Sequence, residues 1–226
     1  MSNNNNLEVS LLTPEEADRY MRIRHGAFKS DINKVFYLNA PQSEPAQSSL
    51  DIFTASVIDG IKNKGIIFTK CVDKSTSTII AGSRWTYHKP SDPTATTRTP
   101  QDLDNDYTTP DPYPESNLEV WNAFFDLFHA TKREVMGLKR FWKLDTLVTD
   151  PAHHRRGAGR LLLEEGLRRV DEEGVECYLE SSQVGRPLYE KFGFEPVKDI
   201  SLDLRRWGGD EEIVWTIMRR PAKGQA

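Results

Sequence analysis

The sequence predicts an α/β fold, with helices flanking a central mixed sheet of about seven strands. Three observations carry that prediction. Seven short runs rich in β-branched and aromatic residues are spread along the chain, and segments with helical apolar spacing separate them. One strand, helix and strand then follow each other within residues 141–181, the length of a right-handed crossover between parallel neighbours. At 226 residues the chain is long for one domain and short for two. One domain over 1–226 with insertions is therefore expected.

Residues 7–12 alternate as a strand does. Thr13-Pro14-Glu15-Glu16 then supplies a capping hydroxyl, a proline at the first helical position and acid in the first turn, a helix start that should run to about Phe28. Residues 30–49 are mixed and give no single reading. Leu50, Ile52, Phe53, Val57 and Ile61 recur at roughly helical spacing, and Gly65 follows a helix end. The runs 65–72 and 77–87 flank Asp73-Lys74-Ser75-Thr76 and read as an antiparallel hairpin.

Residues 89–117 are rich in Pro, Thr and Asp and are expected to form a long surface loop or lid. Its acids (Asp92, Asp102, Asp104, Asp106, Asp111, Glu115) suit a cationic amine, although a charge run is more often a solvated surface. Leu118, Trp121, Phe124, Phe125 and Phe128 mark an amphipathic helix over 117–137, its aromatic stripe facing the core and His129 structural. A strand at 141–149, a helix at 157–173, a strand at 175–181, a short helix at 186–192 and strands at 194–204 and 212–218 complete the chain.

The hydrophobic fraction, 37%, is low, but polar tails at 1–6 and 221–226 and the 89–117 segment account for the deficit. A net charge of -4 gives no global field for nucleic acid or an anionic membrane. Cys71 and Cys177 each sit in an apolar strand and are too few for a disulfide framework, so both are expected as reduced core thiols. The start lacks a basic region followed by an apolar one, and no run approaches the roughly 18 apolar residues of a membrane helix. A soluble, cytoplasmic protein is the expectation.

Between the 141–149 strand and its helix lies Asp150-Pro151-Ala152-His153-His154-Arg155-Arg156-Gly157-Ala158-Gly159-Arg160. Two glycines at such a junction let backbone N–H groups converge at the positive end of a helix dipole, which suits phosphate oxygens. Arg155, Arg156 and Arg160 add positive charge. There is no Gly-Lys-Ser/Thr of a P-loop, and Leu162 stands where a dinucleotide fingerprint needs its third glycine. His153 and His154 have no Cys, Asp or Glu at ligand spacing, so no metal is expected.

With these residues in view, the stretch 144–194 resembles the core of the GNAT superfamily of N-acetyltransferases. His154-Arg155-Arg156-Gly157-Ala158-Gly159 stands at that family's Gln/Arg-x-x-Gly-x-Gly/Ala element, with His154 departing from the usual residue. Leu188-Tyr189-Glu190-Lys191-Phe192-Gly193-Phe194 preserves its Leu-Tyr-x-Lys-x-Gly-Phe element. The N-terminal half matches only in its order of elements. The resemblance implies a parallel strand pair that splays, with acetyl-CoA as cosubstrate between the strands. Its pyrophosphate would rest on His154, Arg155, Arg156, Gly157, Ala158, Gly159 and Arg160, and its pantetheine along Leu147, Val148 and Thr149. Ser182 takes the place of an asparagine that often touches the cofactor.

Tyr189 resembles the family's general acid. For the base, Asp145, Glu180 and water stay open, Asp145 being equally readable as an ordinary strand residue. The implied partners are acetyl-CoA and an amine acceptor, in a monomer or homodimer. An enzyme for longer acyl-CoA and a non-catalytic acyl-CoA-binding regulator are the competing readings, and retention of Tyr189 counts against the second.

Overall fold

Seven strands form one sheet in the order β1-β2-β3-β4-β5-β7-β6. They are β1 (Leu7–Leu11), β2 (Ile67–Asp73), β3 (Thr78–His88), β4 (Phe141–Thr149), β5 (Glu176–Ser182), β6 (Glu195–Asp203) and β7 (Glu212–Arg220). All neighbours are antiparallel except β4 and β5. This computed structural model describes residues 6–29, 32–37 and 46–224. Most of the polar 1–6 tail, much of the mixed 30–49 stretch and the last two residues of the 221–226 tail lie outside the described residues.

The helices are α1 (Ala17–Ala27), α2 (Ile32–Phe36), α3 (Gln47–Asn63), α4 (Pro100–Asp106), α5 (Leu118–Met136), α6 (Ala158–Glu173) and α7 (Arg186–Glu190). A 3-10 turn at Pro14–Glu16 leads into α1, and Glu16 Oε2 accepts from the Thr13 N–H at 2.9 Å as part of a capping box. Asn117 caps α5 by accepting from the N–H groups of Glu119 and Val120.

Each face of the sheet buries its own core. α6 covers one face, where Leu163, Leu167 and Val170 pack on Trp85, Trp142, Leu144, Cys177 and Leu179. On the opposite face α5 lays Trp121, Phe124 and Phe128 against Tyr178, Trp215 and Ile217, which places the aromatic stripe in the core. α1 and α3 cover the far end of that face, with Tyr20, Ile23 and Val57 on Phe68 and Val148. Cys71 and Cys177 are free, buried thiols.

The 89–117 segment is not the plain surface loop that its composition predicts. α4 runs through it, started by Thr99: the Thr99 side chain accepts from Asp102 N–H, and the Asp102 carboxylate accepts from Thr99 N–H at 2.7 Å. Thr99-Pro100-Gln101-Asp102 thus repeats the cap chemistry of Thr13-Pro14-Glu15-Glu16. Arg98 is buried over the Phe141 ring and pairs with Asp106, which also meets His88 Nδ1 at 2.7 Å. These contacts strap the insertion to the sheet. Most of its other acids are engaged too: Asp92 holds Thr94, Asp104 pairs with Arg133, and Glu115 accepts from Ser49 and the Ala46 N–H. A free anionic funnel does not result. The C-terminal tail likewise begins packed, with Ala222 buried.

Candidate active site

β4 and β5 pair over only three positions, Phe141↔Glu176, Trp142↔Cys177 and Lys143↔Tyr178. Beyond Lys143, β4 stays with β3 and β5 with β7, so a gap opens between them. A bulge sharpens it: Arg84 faces Thr146 and Trp85 faces Leu144, which leaves Asp145 as the extra residue of β4. The bulge changes the strand's parity. Lys143 and Asp145 face the α5 side with Phe141, whereas Leu147 returns to the α6 side and Val148 packs beneath α1.

At the α6 end of the gap, Gly157 has φ 88 and ψ 5, a left-handed conformation that a side chain would strain. No side chain caps α6, and no acid stands in its first turn. The N–H groups of Ala158, Gly159 and Arg160 therefore point away from the helix with the dipole behind them. A Cβ built on Gly159 would lie 3.8 Å from Leu188 Cδ2 and 3.9 Å from Thr149 Oγ1. The end of β4, the start of α6 and the Leu188-Tyr189 element, far apart in sequence, converge on that glycine.

His154 Nε2 lies 3.2 Å from the Thr149 carbonyl and braces the turn. Arg155 is exposed at φ 60. Arg156 is committed to Asp73 at 2.6 Å and to His153 Nδ1, so it ties the turn to the β2–β3 hairpin. Arg160 pairs with Glu164 one helical turn on. Of the three arginines, Arg156 shapes the turn; it is not the mobile charge its sequence position predicts.

Tyr189 packs its ring over Gly185, where an added Cβ would fall 3.0 Å from Tyr189 Cε2 and within reach of the Ser181 and Ser182 hydroxyls. Phe194 meets the ring edge-on at 5.8 Å. Burial, with the Cys177 thiol nearby, raises the Tyr189 pKa, so the phenol stays protonated at neutral pH. Ser182 Oγ accepts from the Gly185 N–H at 3.2 Å and so shapes the entry to α7.

On the α5 side a line of charges crosses the gap just where backbone pairing stops. Arg84 Nε lies 3.6 Å from Asp145, Asp145 lies 3.4 Å from Lys143 Nζ, and Lys143 Nζ lies 3.0 Å from Glu180 Oε2. Thr86 donates to Asp145 at 2.5 Å. The sequence reading missed Arg84, Thr86 and Lys143; the one hint was a Lys and an Asp two apart in the apolar run FWKLDTLVT. Burial pushes the Asp145 carboxyl up, but Arg84, Lys143 and Thr86 outweigh it and hold the pKa at about 2. Asp145 is built as a counter-ion, and a carboxylate held so low accepts a proton poorly.

A pH effect follows. The folded pKa lies below the unfolded value, so Asp145 contributes about 2 kcal/mol above pH 4, lost as pH falls from about 4 to 2. Urea unfolding of the Asp145→Asn protein checks this. Its deficit against wild type should be full at pH 6 and shrink at pH 3; a constant deficit would show that the carboxylate's charge is not what stabilises.

Residues 123–196 match the family model described as acetyltransferase (GNAT) domain. Over that third of its length the chain is similar to GNAT acetyltransferases. Over 83 residues it is 32% identical to an uncharacterised N-acetyltransferase of Schizosaccharomyces pombe, a stretch covering 35% of this chain and 34% of that protein. The match thus spans about a third of the curated relative's length.

The GNAT fold is also shared with solved structures over nearly the whole chain. A mosquito arylalkylamine N-acetyltransferase like 5b superposes with a TM-score of 0.64 at 16% identity, over 95% of this chain and 99% of that one. A Drosophila melanogaster polyamine N-acetyltransferase that forms N-acetylagmatine gives 0.62 at 14%, over 94% and 98%. Among the described residues, no three His, Cys, Asp or Glu side chains group to hold a metal ion, and no helix is long and apolar enough to cross a membrane.

Proposed function

We propose that this chain is a single-domain N-acetyltransferase that moves the acetyl group of acetyl-CoA directly to a primary amine of a small molecule or peptide. A reducing, cytoplasmic location fits its two free buried thiols, and it would act as a monomer or homodimer. The observation that carries the reading is the gap beyond Lys143↔Tyr178, with an uncapped, glycine-opened helix start on one side and Tyr189 beside it.

The pyrophosphate would take the N–H groups of the 154–160 turn, with Arg155 and Arg160 as the nearer charges. The edge of Leu147, Val148 and Thr149 that does not pair with β3 would receive the pantetheine amides. The neutral amine attacks the thioester carbonyl and the C–S bond breaks. The departing thiolate takes the Tyr189 phenolic proton, and the amine's proton leaves through Glu180 or water. Asp145, held at about 2, stays an ion-pair partner.

The mosquito and Drosophila relatives, named for arylalkylamines and a polyamine, support amines as the first acceptors to try. CoA-thiol release from acetyl-CoA and from longer acyl-CoAs across an amine panel tests the reading. Amine-dependent release, fastest with acetyl-CoA, is expected. Binding without release for every donor and amine would point instead to a non-catalytic regulator, and preference for a long chain to the longer-acyl enzyme.

A further inference from the structure

Seven of the thirteen buried side-chain polar atoms that lack a hydrogen-bond partner among the described residues lie on the α5 face of the sheet, those of His88 and Arg98 near Phe141 at the closed end of the strand pair and the others, from Arg84, Tyr107, Tyr178 and Glu180, further along. Native interiors leave few such atoms, and a concentration of them calls for an explanation. Glu180 is the acceptor among them: Oε2 takes Lys143, while Oε1 has no partner. The Tyr178 hydroxyl faces Glu180 and the Tyr107 hydroxyl, brought in by the 89–117 segment, faces Arg98, neither in good hydrogen-bond geometry.

Lys132 of α5 completes the set. Its side chain is buried, with 6% of the residue exposed, and its ammonium sits 4.5 Å from the centre of the Tyr107 ring. Every carboxylate around it is already engaged. Asp106 takes Arg98 and His88, Asp145 takes Arg84 and Lys143, and Glu180 takes Lys143. None lies within ion-pair distance of Lys132 among the described residues. Burial first, and Lys143 second, lower its pKa to about 7. A buried cation without a counter-ion is costly to keep, and replacing it by an apolar residue would relieve the fold.

The α5 face of the sheet therefore holds an unmatched acceptor, Glu180 Oε1, and an unmatched cation, Lys132, over the Tyr107 ring. A simple amine would satisfy Glu180 Oε1 and leave Lys132 beside Lys143 without a counter-ion. A molecule bearing both an ammonium and a carboxylate would match both ends. We propose that the acceptor is an amino acid, its amine seated at Glu180 Oε1 and its carboxylate at Lys132 beside Tyr107. This rests on the N-acetyltransferase reading and narrows its substrate class.

The experiment compares a panel of amino acids with their carboxamides and their decarboxylated amines, by CoA-thiol release, in the wild-type and Lys132→Met proteins. The wild type should favour the carboxylate member by roughly 10- to 100-fold in kcat/KM, the span of a charged hydrogen bond. Lys132→Met should erase that preference by slowing the amino acids alone, with acetyl-CoA affinity unchanged by calorimetry and the melting temperature not lowered. Decarboxylated amines that react as fast, or a preference that survives in Lys132→Met, overturn the proposal. If no amine turns over, thermal shift of the acetyl-CoA-saturated protein reads the same pairs. Stabilisation by the carboxylate member that depends on Lys132 supports the site, and none overturns it. Failure of acetyl-CoA to bind at all would strike the acetyltransferase reading itself.

Discussion

A Tyr189→Phe protein is expected to turn over roughly 10²- to 10⁴-fold more slowly than wild type, with acetyl-CoA affinity almost unchanged. The ring fills the space over Gly185 and meets Phe194 edge-on, and phenylalanine keeps both contacts. Only the hydroxyl is lost. Because burial raises its pKa, that hydroxyl carries its proton through the physiological range, and the falling limb of the wild-type rate profile should lie above the ordinary phenol value. Steady-state kinetics from pH 6 to 10 should therefore show no falling limb from Tyr189 in the wild type, and paired with calorimetric affinity they separate the outcomes. Full turnover in the Phe protein would leave Tyr189 as a packing residue, with water or Ser182 as the proton source.

The largest stability effect is expected away from the gap, at Gly166 in the middle of α6. A Cβ built there falls inside the van der Waals envelope of the Trp85 indole, which is itself buried and donates to Ser83 Oγ at 2.9 Å. The glycine lets α6 lie directly on the sheet beneath the gap. Gly166→Val must push either the helix or the indole aside, at a cost of about 3 kcal/mol or more. For a chain of this length that is roughly 6–12 °C in melting temperature. Urea and thermal unfolding measure it, and a Val protein as stable as wild type would mean that α6 can shift freely over Trp85.

What the sequence made legible and what it concealed divide along a physical line. Gly157 could be read because local chemistry demands a glycine at a left-handed helix start, and the Leu188–Phe194 element because it resembles the GNAT motif. α5 was legible because five aromatic and aliphatic residues repeat at its period. α4 was not, since seven residues hold too few turns to show a period, although Thr99-Pro100-Gln101-Asp102 carried its cap signal in the open. The pairing of Arg156 with Asp73 joins residues 83 apart, so no local pattern announces it. The charge line from Arg84 to Glu180 and the isolated ammonium of Lys132 depend on the register of three strands and the seating of α5. Only the fold brings them together.

The most direct test of the account is a calorimetric titration of acetyl-CoA into the wild-type and Gly159→Val proteins. The wild type should bind about one acetyl-CoA per chain and gain thermal stability as a ligand of the folded state does. Gly159 has no strained backbone, and a Cβ there meets its neighbours only at ordinary contact distances. The Val protein should therefore fold with a modest loss of stability and bind acetyl-CoA at least about tenfold more weakly, since a side chain blocks the approach of the pyrophosphate to the backbone. Equal affinity in the two proteins would remove the turn from the site. No heat and no stabilisation at millimolar acetyl-CoA, with NADH or ATP binding instead, would contradict the account at its centre.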